Sequence, residues 1–176
     1  MKKTLIVIDM QNDFIDGSLG TKEAVGIVDR VAEVMDSFDG AVICTRDTHF
    51  ADYLNTSEGR KLPVEHCIEG TKGHALQDTI QKMAEKRQAV VMNKITFGAK
   101  NLPEEIEKLA GGVPEFIELV GLCTDICVIS NAMLLKAFYP EVPISVDASA
   151  CAGVTPQSHK NALEAMKMCQ IDIVNE

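Results

Sequence analysis

The chain has no tryptophan, and only 5% of its residues are aromatic, so a ring-shaped ligand has few aromatic walls to lie against. Basic residues are also outnumbered: 17 Lys and Arg stand against 26 Asp and Glu, a formal net charge of -9. A chain of that sign lacks the basic patches that nucleic acids and anionic membrane surfaces require. No apolar run approaches the roughly 20 residues of a membrane span. There is no GxGxxG and no GxxxxGKS or GxxxxGKT run, which removes the usual signals for dinucleotide and nucleoside triphosphate cradles. Repeats and low-complexity segments are missing too. What remains is a chain of 176 residues with 46% hydrophobic and 24% charged residues, ordinary for a globular protein. It reads as a single domain over 1–176, large enough to bury roughly 70% of its unfolded surface.

Cysteine is not scarce. Six thiols, at positions 44, 67, 123, 127, 151 and 169, could form three disulfides in an exported protein. Lys2-Lys3 is followed by only four apolar residues after Thr4 before Asp9 interrupts, which does not read as a signal peptide. The expectation is therefore a cytoplasmic protein with reduced thiols, some of them free for chemistry.

Strands are expected at Thr4–Ile8, Ala41–Thr45, Ala89–Asn93, Phe116–Val120, Pro143–Val146 and Ile171–Val174, each a short apolar or β-branched run. Between them, helical spacing marks a segment through Val25, Val28, Val31, Ala32 and Met35, then Ala75–Lys86, Pro103–Ala110, a helix from Thr124, and Pro156–Met168 opened by Thr155. Asp13–Thr21 reads as a turn-rich loop, and residues 46–74 as a long polar connection of the kind that usually binds something. Strands alternating with helices predict an α/β fold, a doubly wound six-stranded parallel sheet with helices on both faces. In such sheets ligands sit at the carboxyl ends of the strands. Asp9, Asp47, His49, Lys94 and Cys127 each follow a strand, so all of them belong on one rim.

Cys127 lies where a buried strand breaks at Gly121 and becomes a helix, with Thr124 or Asp125 as the N-cap. Free N–H groups and the helix dipole there favour a thiolate and can receive an oxyanion. A buried structural thiol is the competing reading. A nucleophilic thiol needs a proton acceptor and a tuning cation, and Asp9 and Lys94 suit those roles, although either is also compatible with a solvated strand end. A phosphoryl-transfer Asp typically has a second Asp two positions later, where Gln11 stands here. Asp47, His49, Glu58 and His66 are four metal-type donors gathered in the long connection; they suit Zn, Mn or Fe, or simply face water. His74 and His159 have no such company.

Three motifs in fixed order, Asp9-Met-Gln-Asn-Asp-Phe14, Lys94, and Gly121-Leu-Cys-Thr-Asp-Ile-Cys-Val128, resemble the isochorismatase-like cysteine hydrolases, which include the nicotinamidases. The resemblance spans nearly the whole chain. It implies a catalytic triad of Asp9, Lys94 and Cys127, an oxyanion hole from the backbone N–H groups of Cys123 and Cys127, and a cis peptide between Leu122 and Cys123. Asp47-Thr48-His49, Glu58 and His66-Cys67-Ile68-Glu69-Gly70 are similar to the metal positions of the nicotinamidases, which implies a divalent ion, Zn first, with Mn or Fe as alternatives. The chain departs from them at Leu62-Pro63-Val64, where an aromatic usually stacks on the pyridine ring; Phe14 and Phe97 remain as candidate walls. The implied activity is cleavage of a small carboxamide such as nicotinamide, in a homo-oligomer. A metal-independent carbamoyl or ureido amidase on the same triad, and a non-catalytic binding module, are the alternatives.

Overall fold

The expected apolar runs lie side by side. In the computed structural model, which describes residues 2–176, strands β1 (Lys3–Ile8), β2 (Ala41–Asp47), β3 (Val90–Lys94), β4 (Phe116–Leu122), β5 (Ile144–Ala152) and β6 (Asp172–Val174) form one sheet in the order β3-β2-β1-β4-β5-β6. Every neighbouring pair is parallel. Strand order reverses between β1 and β4, and the crevice at that reversal is where a doubly wound sheet offers a binding site.

Residues of β1 alternate between two cores, as the period of two along a strand requires. Leu5 and Val7 pack with one cluster that includes Val31, Met35 and Ile80; Ile6 and Ile8 pack with another that includes Leu102, Ile106, Leu135 and Leu163. The first face is covered by α1 (Asn12–Ile15), α2 (Lys22–Gly26), α3 (Val28–Ser37) and, after α4 (Ser57–Lys61), by α5 (Asp78–Lys86). The second is covered by α6 (Leu102–Ala110), α7 (Ile129–Phe138) and α8 (Pro156–Met168). Burial on both faces explains why β1 is an uninterrupted apolar run. Among the described residues no helix is long and apolar enough to cross a membrane.

Local chemistry fixes several boundaries and corrects several expectations. Thr155 and Ser158 form a capping box at the start of α8, with Pro156 in the first turn. The helix expected from Ala75 begins at Asp78, because the Gln77 side chain accepts hydrogen bonds from the N–H groups of Thr79 and Ile80. The segment through Val25 is two helices, broken after Gly26. Residues 13–21 and 46–74 are not wholly irregular: they contain most of α1, a 3-10 turn at Tyr53–Asn55, and α4 capped by Thr56. β5 runs six residues beyond Val146 because Asp147, which reads as a strand terminator, is buried and satisfied by Arg30 at 3.0 Å, Asn175 at 3.0 Å and Ser149. Gly121 does not end β4. It sits at an irregularity in the ladder with φ 114, and a Cβ there would stand 2.2 Å from the Ile8 carbonyl oxygen, so only glycine lets β4 approach the end of β1 so closely.

Candidate active site

Sheet order brings the rim residues together. Lys94 ends β3, Asp47 ends β2, Asp9 follows β1, and Cys127 lies in the turn after β4, so consecutive strands present cation, carboxylate, carboxylate and thiol. Lys94 Nζ lies 2.7 Å from Asp9 Oδ2, 3.0 Å from Asp47 Oδ1 and 3.3 Å from Cys127 Sγ. All four groups are buried. Asp9 has φ 48, a left-handed backbone that costs energy in a non-glycine residue and recurs at functional sites. The Thr45 hydroxyl holds it there, donating to Asp9 Oδ1 at 2.6 Å and accepting from the Asp9 N–H at 3.2 Å.

The charges in this cluster set one another. Burial raises the Asp9 carboxyl above its ordinary 3.8, Lys94 opposes the rise and Asp47 adds to it. Burial works against the Lys94 ammonium, but Asp9, Cys127 and Asp47 together carry its pKa upward. The Cys127 thiol is pushed well above 9.0, first by burial and then by Asp9, with Lys94 only partly compensating. Burial and Asp9 thus oppose the thiolate that a helix N-terminus favours. The local backbone differs as well: residues Thr124–Val128 form a π-helical turn whose N-cap is Cys123, and the N–H groups of Ile126 and Val128 both return to the Cys123 carbonyl. Thr124 and Asp125 are drawn off elsewhere, Thr124 Oγ1 to His159 Nδ1 at 2.7 Å and Asp125 Oδ1 to the Val154 N–H at 3.1 Å. The peptide between Leu122 and Cys123 is cis.

Asp47 faces a second cluster through its other oxygen. Ligand-type atoms of Asp47, His49, Glu58 and His66 all lie within 4.8 Å of one another. His49 Nε2 is 3.0 Å from Asp47 Oδ2 and 3.6 Å from Glu58 Oε1; His66 Nε2 is 3.8 Å from each of those oxygens. His66 Nδ1 donates to the Val64 carbonyl at 2.8 Å, which leaves Nε2 with its lone pair toward the cluster. His49 Nε2 is buried, and its one short contact in this cluster is with Asp47 Oδ2. Two carboxylates and two imidazoles converging within 4.8 Å of one another fit a divalent ion of the Zn type. Without one, burial disfavours charge on both Asp47 and His49, yet their mutual contact, with Lys94 and Glu58 alongside, lowers the first and raises the second.

Residues not singled out from sequence hold this arrangement. Gln11 is fully buried, accepts from the Asp47 N–H at 2.7 Å, and donates to the carbonyls of Asp47 and His74 at 2.8 and 2.9 Å. Asp13 Oδ2 accepts from the Cys67 N–H at 2.7 Å, next to His66. Tyr53 lies under both imidazoles, 4.6 Å from His49 and 5.0 Å from His66 between ring centroids, and its hydroxyl donates to the Leu62 carbonyl. Gln11 and Asp13 lie within the Asp9–Phe14 motif, which was the signal that could have pointed to them. His74 and His159 stay outside the cluster and bond Thr48 and Thr124. All six cysteines are free.

A cavity of about 630 Å³ opens over both clusters, with Cys127, Asp47, His66, Phe14 and Phe97 in its wall. The Phe14 ring lies 5.4 Å from His66, whereas Phe97 is 45% exposed.

Known proteins share this fold over nearly their full lengths. The nicotinamidase/pyrazinamidase of Bacillus subtilis is 28% identical with a TM-score of 0.79, covering 98% of this chain and 99% of that one. A pyrazinamidase of Pyrococcus horikoshii, solved in complex with zinc, is 25% identical with a TM-score of 0.78 and complete coverage of both chains. The N-carbamoylsarcosine amidase of Thermoplasma acidophilum is 28% identical with a TM-score of 0.77, covering 98% and 95%. The isochorismatase domain matches residues 3–175, and with the sheet order and rim described above this places the chain in the isochorismatase family.

Proposed function

We propose that the protein is a cysteine amidohydrolase that cleaves a small carboxamide, nicotinamide foremost, to the acid and ammonia. One observation carries this reading: a single buried ammonium, Lys94, is in reach of both the Asp9 carboxylate and the Cys127 sulfur. Asp9, made more basic by its burial, accepts the thiol proton as sulfur attacks the carbonyl carbon. Lys94 offsets the negative charge that the pair carries in either arrangement. The backbone N–H groups of Cys123 and Cys127 receive the developing oxyanion. Asp9 then returns the proton to the departing nitrogen, ammonia leaves, and water hydrolyses the thioester to free acid and thiol.

Asp47, His49, Glu58 and His66 would hold a divalent ion beside this triad. When bound, the ion supplies a coordination position for a lone pair such as a ring nitrogen, which orients a substrate toward Cys127. The relatives named for pyrazinamide and nicotinamide support that choice, as does the zinc in one of them. A carbamoyl amidase is the second reading, favoured by the similarity to the carbamoylsarcosine enzyme; it makes no use of four converging donors. A non-catalytic module would have no need of the assembled triad.

Ammonia release from nicotinamide, benzamide and an N-carbamoyl amino acid, with metal analysis of the purified protein, tests the choice. We expect stoichiometric divalent metal, and nicotinamide cleaved far better than benzamide, which has the same ring shape without the nitrogen. A metal-free protein, indifferent to chelators and to the ring nitrogen, would reject the nicotinamidase reading and leave the carbamoyl amidase.

A further inference from the structure

The cavity is larger than a pyridine carboxamide requires. Pockets of roughly 300–1,000 Å³ enclose drug-sized ligands, and this one, at about 630 Å³, lies in the middle of that range, whereas nicotinamide has only nine non-hydrogen atoms. The extra space has a definite chemistry. Besides Cys127, Asp47 and His66, the lining includes the apolar residues Leu19, Leu62, Ile95, Phe97, Ile126 and Val154, with Ser57, Lys61 and Thr96 among its polar groups. Ile95, Val154 and Phe97 are 66%, 51% and 45% exposed. Isolated exposed apolar residues are unremarkable, but several lining one reactive cavity point to a binding site.

We propose that the cavity contains an apolar subsite outside the reacting centre, and that the preferred substrates are ring carboxamides carrying an alkyl or aryl arm. This rests on the amidohydrolase reading and narrows its substrate class. The position of the arm follows from Cys127, Asp47 and His66. Cys127 must meet the carboxamide carbon, and Asp47 and His66 occupy the adjoining wall, so the free edge of the ring is the one directed outward. In a pyridine-3-carboxamide whose nitrogen and carboxamide both face those residues, the outward position is carbon 5. An arm there runs toward Ile95, Phe97 and Val154. Its chemistry is unchanged by the arm: the C–N bond breaks, water adds to the acyl group, and ammonia departs.

The test compares nicotinamide with 5-methyl-, 5-propyl- and 5-phenylnicotinamide. A fully buried methylene is worth about fourfold in an equilibrium constant, and an open rim covers only part of the arm. We therefore expect kcat/KM for the propyl compound to exceed that for nicotinamide by about tenfold, mostly through KM. Ile95→Ser and Val154→Ser, both at exposed positions that tolerate polarity, should together bring that ratio to within about threefold of unity. A parallel measurement needs no turnover: calorimetric binding of 5-propylnicotinate and nicotinate to the Cys127→Ala protein should show the same preference. If nicotinamide is cleaved but neither ratio exceeds unity, the subsite is refuted and the amidohydrolase reading stands. If nothing is cleaved but the binding preference is present, the subsite stands and the reaction is wrong. If the two substitutions instead change the oligomeric state in sedimentation and leave both ratios intact, the rim is a contact between copies of the chain and the proposal fails.

Discussion

Around Lys94 the charged contacts run from 2.7 to 3.3 Å, whereas around His49 only the contact to Asp47 is short, at 3.0 Å, and the other carboxylate and imidazole pairs stand 3.6 to 3.8 Å apart. The two clusters share Asp47, one oxygen to each. The triad brings its own cation, so two buried carboxylates and a thiol can be packed at strand ends with short contacts. The second cluster gathers four donors with no cation at its centre, which is the arrangement expected of groups waiting on a guest ion. One half of the site therefore balances its charge within the polypeptide, and the other is a set of donors that a divalent ion would complete.

The sharpest break between the halves is at Cys127. Cys127→Ala should abolish amide hydrolysis while leaving metal content unchanged, and His66→Ala should reduce metal content while the Cys127 thiol still reacts with alkylating reagents. Replacing Cys44, Cys151 or Cys169 by Ala should leave most of the activity. Equal loss in all four cysteine variants would show that the thiol at 127 has no special part.

A second contrast concerns stability. Lys94→Met removes the only cation between two buried carboxylates, and breaking such a pair typically costs about 3–5 kcal/mol. Glu58 is at the partly exposed edge of the donor cluster, so Glu58→Gln in chelator-treated protein should change stability by less than about 0.5 kcal/mol. Denaturant unfolding of both variants without metal makes the comparison directly. Similar losses for the two would mean that the donor cluster also balances its charge internally.

How far the sequence reaches follows the same division. Strand runs such as Leu5–Ile8 are apolar throughout because both faces are buried, and the rim residues Asp9, Asp47, Lys94 and Cys127 follow from where those runs stop. What sequence reasoning misread was decided by contacts between distant segments. Asp147 looks like a strand end until Arg30 and Asn175 neutralise and bond it. Thr124 looks like an N-cap until His159 takes its hydroxyl. The forces on the Cys127 thiol could not be read from its helix position, because burial and Asp9 push its pKa up against Lys94. Gln11 is polar in a sequence where polar residues are common; only the fold shows that it clamps the Asp47 backbone.

The smallest expected effect is also the most specific to the triad. Asp9 must be ionised to take the thiol proton, and burial raises its pKa above 3.8, so kcat/KM should fall on the acid side with a midpoint above the ordinary carboxylate range. The Thr45 hydroxyl stabilises the ionised form by donating to Asp9 Oδ1 at 2.6 Å. Thr45→Val keeps the shape and removes that donor, so the acid limb should move to still higher pH while the plateau rate changes little. Stability has the opposite slope. A carboxyl whose pKa is higher folded than unfolded binds its proton more tightly in the fold, so Asp9's own contribution declines as pH rises from 3.8 through the folded value. Comparing wild type with Asp9→Asn by denaturant unfolding across that interval isolates this contribution, and pH profiles of kcat/KM for wild type and Thr45→Val locate the limb. An acid limb that does not move in Thr45→Val would show that the group titrating in the reaction is not Asp9.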